Sequence, residues 1–382
     1  MSKPILVSQD TSTMPELASI RQMVTPCYQC GFCTATCPYP LLGHRLNIRK
    51  FVRALQLSML DALEQAWLCS TCKLCESKCP RGVPITDAFV KTRRLLALSK
   101  KTPEKLEQVL WNVYENGNSW GVKSTEKLSW AKGLEVKDAS KGVKYLLYVG
   151  CAVPYDPRLY KVARSLVNVL GAAGLDFGVL GKEEKCCGDP VYHAGELEFF
   201  EEIVNENAEK FRRTGAEFVV TISPHCYNTF KNLYPSYGAD LNVLHYTQLL
   251  EQLLDGGKIH PSRKLDGRVT YHDPCYLARY DNVVEPPRKV LESIPGIEFV
   301  EMRDSAQDTL CCGGGGGRMW LESEGGRPSD MRVSQASEVE AGLMVTSCPY
   351  CIQNFEDSVR RLRLGKPLQV FDLAELVDRA LG

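Results

Sequence analysis

Two cysteine strings constrain this chain more than any other feature. "CYQCGFCTATCP" sets Cys27, Cys30, Cys33 and Cys37 before Pro38, and "CSTCKLCESKCP" sets Cys69, Cys72, Cys75 and Cys79 before Pro80. Both follow C-x2-C-x2-C-x3-C-P, the spacing with which bacterial ferredoxins hold a pair of [4Fe–4S] clusters. Three closely spaced thiolates take three corners of one cube, and the fourth cysteine serves the other. The expected ligand sets are therefore Cys27, Cys30, Cys33 and Cys79 for one cluster, and Cys69, Cys72, Cys75 and Cys37 for the second. Structural zinc sites are the bland alternative, but zinc is served by C-x2-C pairs and has no use for a third cysteine and a proline, twice over.

Between the strings, Leu46, Val52, Leu55, Met59 and Leu63 fall on one helical face. This predicts clusters held between helices, a helical ferredoxin-like module over residues 1–117. Arg45, Arg49, Lys50 and Arg53 lie on the first part of that segment. They offset cluster charge, dock an acidic partner, or form a solvated face. Two further helices are expected, one capped by Thr86 and one capped by Thr102 and closed by Gly117. Residues 118–144 lose the pattern and read as a surface linker.

The rest of the chain says nearly the same thing twice. Cys151, Cys186–Cys187–Gly188 and Cys226 recur as Cys275, Cys311–Cys312–Gly313 and Cys351, at an offset of about 125 residues. Each copy alternates short apolar strands with amphipathic helices, which predicts a largely parallel sheet. The expected repeats are 145–262 and 263–382, related by a pseudo-two-fold, with the cysteines in loops at the strand ends where such sheets hold ligands. The whole is an α+β multi-domain chain. The second copy gathers Cys275, Cys311, Cys312, Cys348 and Cys351. The first has Cys151, Cys186, Cys187 and Cys226, with Ser223 at the fifth place. In "CCGGGGGRMW", Gly313, Gly314 and Gly315 allow a close backbone approach and N–H groups aimed at negative sulfur, or else form a flexible loop. His193, His225 and His272 stand near these motifs as ligands or proton donors or, more commonly, as supporting or packing residues.

Composition narrows the setting. Lys+Arg and Asp+Glu are both 46, so neither nucleic acid nor an anionic membrane is indicated as the main partner. No apolar run approaches the roughly 18 residues that span a bilayer. "MSKPILVSQD" lacks the apolar core of a secretory signal, which leads us to expect a cytoplasmic protein, free or at the cytoplasmic face of a membrane complex. Seventeen cysteines in a reducing compartment point to metal rather than disulfides. No G-x-G-x-x-G follows a strand, so electrons are expected to come from, or go to, other proteins.

"YHDPCYLARY", "CCGGGGGRMW" and "SCPYCIQNF" resemble the cysteine-rich, double-CCG family of the heterodisulfide reductases, and the ferredoxin block resembles its iron–sulfur partner subunit fused in front. The resemblance implies a noncubane [4Fe–4S] cluster on Cys275, Cys311, Cys312, Cys348 and Cys351, the catalytic set in members that cleave a disulfide by two one-electron steps. The first site would carry a further cluster or zinc, since serine oxygen is a poorer ligand for iron than thiolate. The expected function is an iron–sulfur electron-transfer subunit of a larger oxidoreductase, partnered by a flavoprotein or by a membrane quinone or haem subunit. A heterodisulfide or thiol–disulfide reductase and the iron–sulfur subunit of a glycolate- or lactate-type hydroxyacid dehydrogenase are the alternatives.

Overall fold

The computed structural model describes residues 14–322 and 324–382; the N-terminal decapeptide considered above lies outside them. Helices Met14–Val24, Ile48–Gln56 and Ile85–Leu98 build the first module. Its core holds Ile20, Val24, Leu55 and Ala88, with the Phe51 and Phe89 rings stacked 4.0 Å apart. Asn47 opens the second helix, its side chain accepting the Lys50 N–H at 3.0 Å.

The segment between the cysteine strings is not one helix. It breaks after Gln56, where Ser58 takes φ 55°, and resumes as a 3-10 helix over Leu60–Leu68. Apolar spacing continues through the break, so periodicity alone does not reveal it. Ile85–Leu98 is capped at Pro84 rather than Thr86, whose N–H instead donates to Glu76 Oε2 at 2.9 Å. Helix Glu104–Asn116 has Pro103, not Thr102, as its N-cap and ends at Gly117 in the left-handed region.

Nine strands follow among the described residues: β1 (Lys137–Asp138), β2 (Tyr145–Tyr148), β3 (Phe177–Val179), β4 (Phe218–Thr221), β5 (Val243–His245), β6 (Gly267–Tyr271), β7 (Ile297–Phe299), β8 (Leu343–Thr346) and β9 (Gln369–Asp372). They form two parallel sheets, ordered β1-β3-β2-β4-β5 and β7-β6-β8-β9. Without β1 the two orders are the same, as the duplication predicts. Register agrees too: Tyr145 pairs with Phe177 and Phe218 in the first sheet, and Val269 with Phe299 and Leu343 in the second.

The repeats share one apolar core, and their helices pack reciprocally. Pro157–Ala172 of the first lies on Leu373–Leu381 of the second, while Tyr246–Asp255 of the first lies on Glu285–Glu292 of the second. Such exchange of equivalent surfaces is what a pseudo-two-fold generates. Tyr246 Oη donates to Asp372 Oδ1 at 2.6 Å across this junction.

Residues 118–144 are not a surface linker. They supply β1 to the edge of the first sheet, and they bury Asn118, Ser119, Lys127 and Trp130. Lys127 pairs with Glu184 at 3.3 Å, both side chains being almost fully buried. The Glu184 carboxylate accepts the N–H groups of Val149 and Gly150 at 3.1 and 2.9 Å. A residue read as linker thus fixes the loop that carries Cys151.

Candidate metal centres

The two ferredoxin strings fold the same way. In each, the second and fourth residues after the first cysteine have positive φ: Gln29 (67°) and Gly31 (88°), then Thr71 (51°) and Lys73 (60°). Non-glycine residues seldom sit there, and alternating backbone handedness makes a concave array of N–H groups that suits an anion. The Gln29 N–H reaches Cys27 Sγ at 3.4 Å, and the Thr71 N–H reaches Cys69 Sγ at 3.3 Å. Val83 N–H donates to Cys79 Sγ at 3.4 Å.

Cys37 lies among Cys69, Cys72 and Cys75. Burial, then the neighbouring charges of Cys72 and Cys69, hold its thiol far above the ordinary range. Burial also pushes Cys69 up to about 12. Tyr28 is hydrogen-bonded to Cys30, and the charge of Cys79 also reaches it. Cys30 is exposed, alone among the seventeen cysteines.

In the second repeat five thiols form a continuous chain. All five are free thiols: Cys275 lies beside Cys311 and Cys311 beside Cys312, Cys351 donates to Cys312 at 3.3 Å, and Cys348 lies beside Cys351. Hydrogen bonds from Cys311 and Cys351 hold the Cys312 thiol well below the usual range. Asp273 and Arg288 brace the Cys275 loop as a buried bidentate pair, at 2.7 and 3.0 Å. The first repeat makes the corresponding four-membered chain: Cys151 to Cys186 at 3.9 Å, Cys186 to Cys187, and Cys187 to Cys226. Ser223 occupies the position of Cys348 before the next helix, and its side chain caps nothing. The CCG glycines act alike: Gly188 N–H donates to Cys186 Sγ at 3.4 Å, and Gly313 N–H to Cys311 Sγ at 3.2 Å.

The rest of the glycine run meets protein. A Cβ on Gly315 would stand 2.5 Å from the Ser70 carbonyl, and one on Gly316 would stand 2.9 Å from that of Cys69. The run is the surface on which the second ferredoxin loop lies. Ser70 Oγ is 3.4 Å from Cys311 Sγ, the Cys72 thiol lies beside Cys311, and Thr71 Oγ1 meets Tyr276 Oη at 2.6 Å. Arg279 donates to the Cys72 carbonyl from the other side. Burial opposes the Arg279 charge, but Cys72, Cys275 and Cys311 outweigh it.

Fully buried Arg93 knits the three parts together. It donates to the carbonyls of Ala66, Cys69, His193 and Gly316, between 2.5 and 3.1 Å. Nothing in the sequence marks it, since a basic residue on an amphipathic helix reads as surface. The histidines divide by role. Nδ1 of His193 and of His225 each lies 3.2 Å from the Asp189 carboxylate, and His193 Nε2 lies 3.2 Å from Tyr276 Oη. Nδ1 of His272 accepts from Arg332 at 3.0 Å, and its ring packs on Phe355.

These residues suit iron–sulfur clusters. Most of the thiols are buried, where a thiolate is costly unless a metal compensates it. Backbone N–H groups converge on the sulfurs, and Arg279 Nη2 is buried without a hydrogen-bond partner beside Cys72 and Cys311, a donor suited to cluster sulfur. Among the described residues, no three His, Cys, Asp or Glu side chains are placed to hold a single metal ion. A cleft of about 680 Å³, lined by Cys312, Gly313, Arg318, Trp320, Lys105 and Arg327 among others, opens on the second site. Among the described residues, no helix is long and apolar enough to cross a membrane.

A dicluster ferredoxin module packed on a duplicated, thiol-edged parallel sheet defines an iron–sulfur protein. Residues 26–84 match the 4Fe-4S dicluster domain, and residues 145–231 and 269–356 each match the cysteine-rich CCG domain. The chain belongs to the family of iron–sulfur oxidoreductases that includes the CCG-containing polypeptides of heterodisulfide reductase. It is 31% identical to one such polypeptide, from the dihydromethanophenazine:CoB--CoM heterodisulfide reductase of Methanosarcina acetivorans, over 82% of this chain and 77% of that one. It is 35% identical to the probable iron-sulfur-binding oxidoreductase FadF of Bacillus subtilis and 34% identical to the EtfAB:quinone oxidoreductase of Syntrophomonas wolfei, over 83% of this chain in each case. The chain spans about half the length of those two relatives, 47% of each. A putative Asp/Glu racemase from Yersinia pestis aligns at 13% identity over 62% of this chain and 97% of its own, with a TM-score of 0.27, too loose a likeness to bear on fold or function.

Proposed function

We propose that this chain is the iron–sulfur electron-transfer subunit of a multi-subunit oxidoreductase. Cubane [4Fe–4S] clusters would be held by Cys27, Cys30, Cys33 and Cys79 and by Cys69, Cys72, Cys75 and Cys37. A noncubane cluster would be held by Cys275, Cys311, Cys312, Cys348 and Cys351, with a further cluster or zinc on Cys151, Cys186, Cys187 and Cys226. When bound, these groups supply one-electron storage. The protein's part is to space them, exclude water and offset their charge.

The observation that carries this reading is the seating of the Cys69–Cys75 loop on the second CCG site, with Ser70 and Cys72 both touching Cys311. A ferredoxin module that served only as a structural brace would not need its cysteine loop there. The name of one relative, EtfAB:quinone oxidoreductase, supports a flavoprotein or a membrane quinone protein as partner; a membrane haem subunit is the remaining candidate. A place at the cytoplasmic face of a membrane fits a relative named a probable membrane-anchored ferredoxin. The test is a reductive titration of anaerobically prepared chain followed by EPR. Cluster signals from both modules, appearing in sequence, support the reading; signals from one module alone contradict it.

The cleft at Cys312 favours a second reading, a thiol–disulfide reductase with its chemistry at the second CCG site. Arg318 would hold an anionic substrate against Cys312 and Gly313, Lys105 being paired with Glu322 on the same cleft wall. Thiol release from an added disulfide by reduced protein separates this from pure relay.

A further inference from the structure

We infer that the edge of the first ferredoxin loop around Cys30 is the docking site of an electron-transfer protein with an acidic face. The inference rests on the electron-transfer reading above and names the partner surface for it. Electron exchange between proteins needs a short path, and Cys30 alone among the seventeen cysteines is exposed. Two large apolar side chains flank it in the open: Tyr28 is 60% and Phe32 56% exposed. Exposed aromatics beside a site are what interface centres are made of.

The stretch of chain that carries Cys30 has charge of one sign, and Glu76 on the short helix packed against it is paired with Lys73. Between Glu16 and Asp61 the chain contains no Asp or Glu, although overall the two signs balance. Arg49, Lys50, Arg53 and Arg81 are exposed. Arg49 lies along Gly31, its Cδ 3.4 Å from where a Cβ on that glycine would stand. Arg53 bonds at 3.3 Å to Gln56, which in turn bonds to the Cys27 carbonyl at 2.8 Å, so it is tied to the loop. Arg81 lies close enough to Tyr28 for its charge to act on the phenol. Among the described residues, none of the four has a carboxylate partner. Cations placed only to offset a cluster would point inward, as Arg279 does; these point to solvent. A basic rim around an apolar, redox-active centre complements a partner with carboxylates around its own cofactor, and it steers the encounter.

In the exchange, one electron leaves the reduced partner and reduces the site at Cys30 by one; no bond forms or breaks. The probe is a reduced, acidic plant-type [2Fe–2S] ferredoxin, mixed anaerobically with the full chain in stopped flow. The second-order rate should fall steeply with added salt. The triple variant Arg49→Glu, Arg53→Glu, Arg81→Glu should lower it at least about tenfold at low salt, while the extent of reduction by excess dithionite stays at the wild-type value. Single Arg49→Gln and Arg53→Gln variants, checked for unchanged iron content, should each show a smaller loss and guard against misfolding of the triple variant. A salt-independent rate, or unchanged rates in all variants, overturns the inference. So does binding to phosphatidylserine vesicles that the triple variant abolishes while ferredoxin transfer persists, which would make this edge a membrane surface. Failure of dithionite to reduce the wild-type chain would instead overturn the electron-transfer reading itself.

Discussion

Ser70 Oγ lies 3.4 Å from Cys311 Sγ although the two are 241 residues apart. The contact joins the second ferredoxin loop to the cysteine pair of the second CCG site, and it exists because Gly315 leaves room for the Ser70 carbonyl. Gly315→Ala should push the loop away, since its Cβ would stand 2.5 Å from that oxygen and 3.2 Å from Tyr276. Each module should keep its iron, but transfer between them should slow at least about tenfold and stability should fall by about 1–3 kcal/mol. Stopped-flow reoxidation and urea unfolding read the two effects. Gly215→Ala is the control: it has φ +64° with open space around it, so it should cost only about 1 kcal/mol and leave transfer untouched.

Arg93→Met should loosen the junction of all three parts. It removes a cation that donates to four carbonyl oxygens; that of Ala66 keeps the Cys69 N–H at 3.3 Å, and a carbonyl left buried and unpaired costs about 1–3 kcal/mol. We expect a loss of at least about 3 kcal/mol in denaturant unfolding. The single transition should also split, the ferredoxin module melting apart from the sheets.

Ser223→Cys should complete the first CCG motif. Ser223 already stands where Cys348 stands, before a proline that opens a helix, so the fold needs no rearrangement. The variant should gain a changed EPR or Mössbauer signature at the first site without a changed fold. An unaltered spectrum in iron-replete protein would show that the fifth position does not reach the metal.

Asp372 gives a pH dependence. Burial raises its carboxyl to about 7, against the lowering effect of Tyr246. An unfolded Asp titrates near 3.9, so between about pH 4 and 7 the folded chain binds the extra proton. Stability should therefore fall as pH rises through this window, by up to about 4 kcal/mol, and stay low above it. Asp372→Asn should remove the slope: close to wild type near pH 4, more stable near pH 8. Urea unfolding at both values checks the sign.

Much of the fold was legible in the sequence. Cysteine spacing marked the ferredoxin module, the offset of about 125 residues marked the duplication, and strand–helix alternation marked the parallel sheets. What was not legible depends on distant contacts. Residues 118–144 look polar and patternless, yet Trp130 and Lys127 are buried because the first sheet receives them. The break at Ser58 hides under continuous apolar spacing. The glycine run promised a close approach, but only the fold shows that what approaches it is the loop of Cys69, Ser70 and Thr71. Arg93 gave no signal, because the carbonyls it satisfies come from three separate stretches of chain.

The central claim is that clusters in both modules form one connected path. The most direct measurement is iron, zinc and acid-labile sulfide per chain, with EPR after dithionite, on protein handled without oxygen. We predict about 12–16 Fe with matching sulfide, and spin coupling between the Cys69–Cys75 cluster and the Cys311 site. Colourless, EPR-silent protein that carries zinc instead would contradict it.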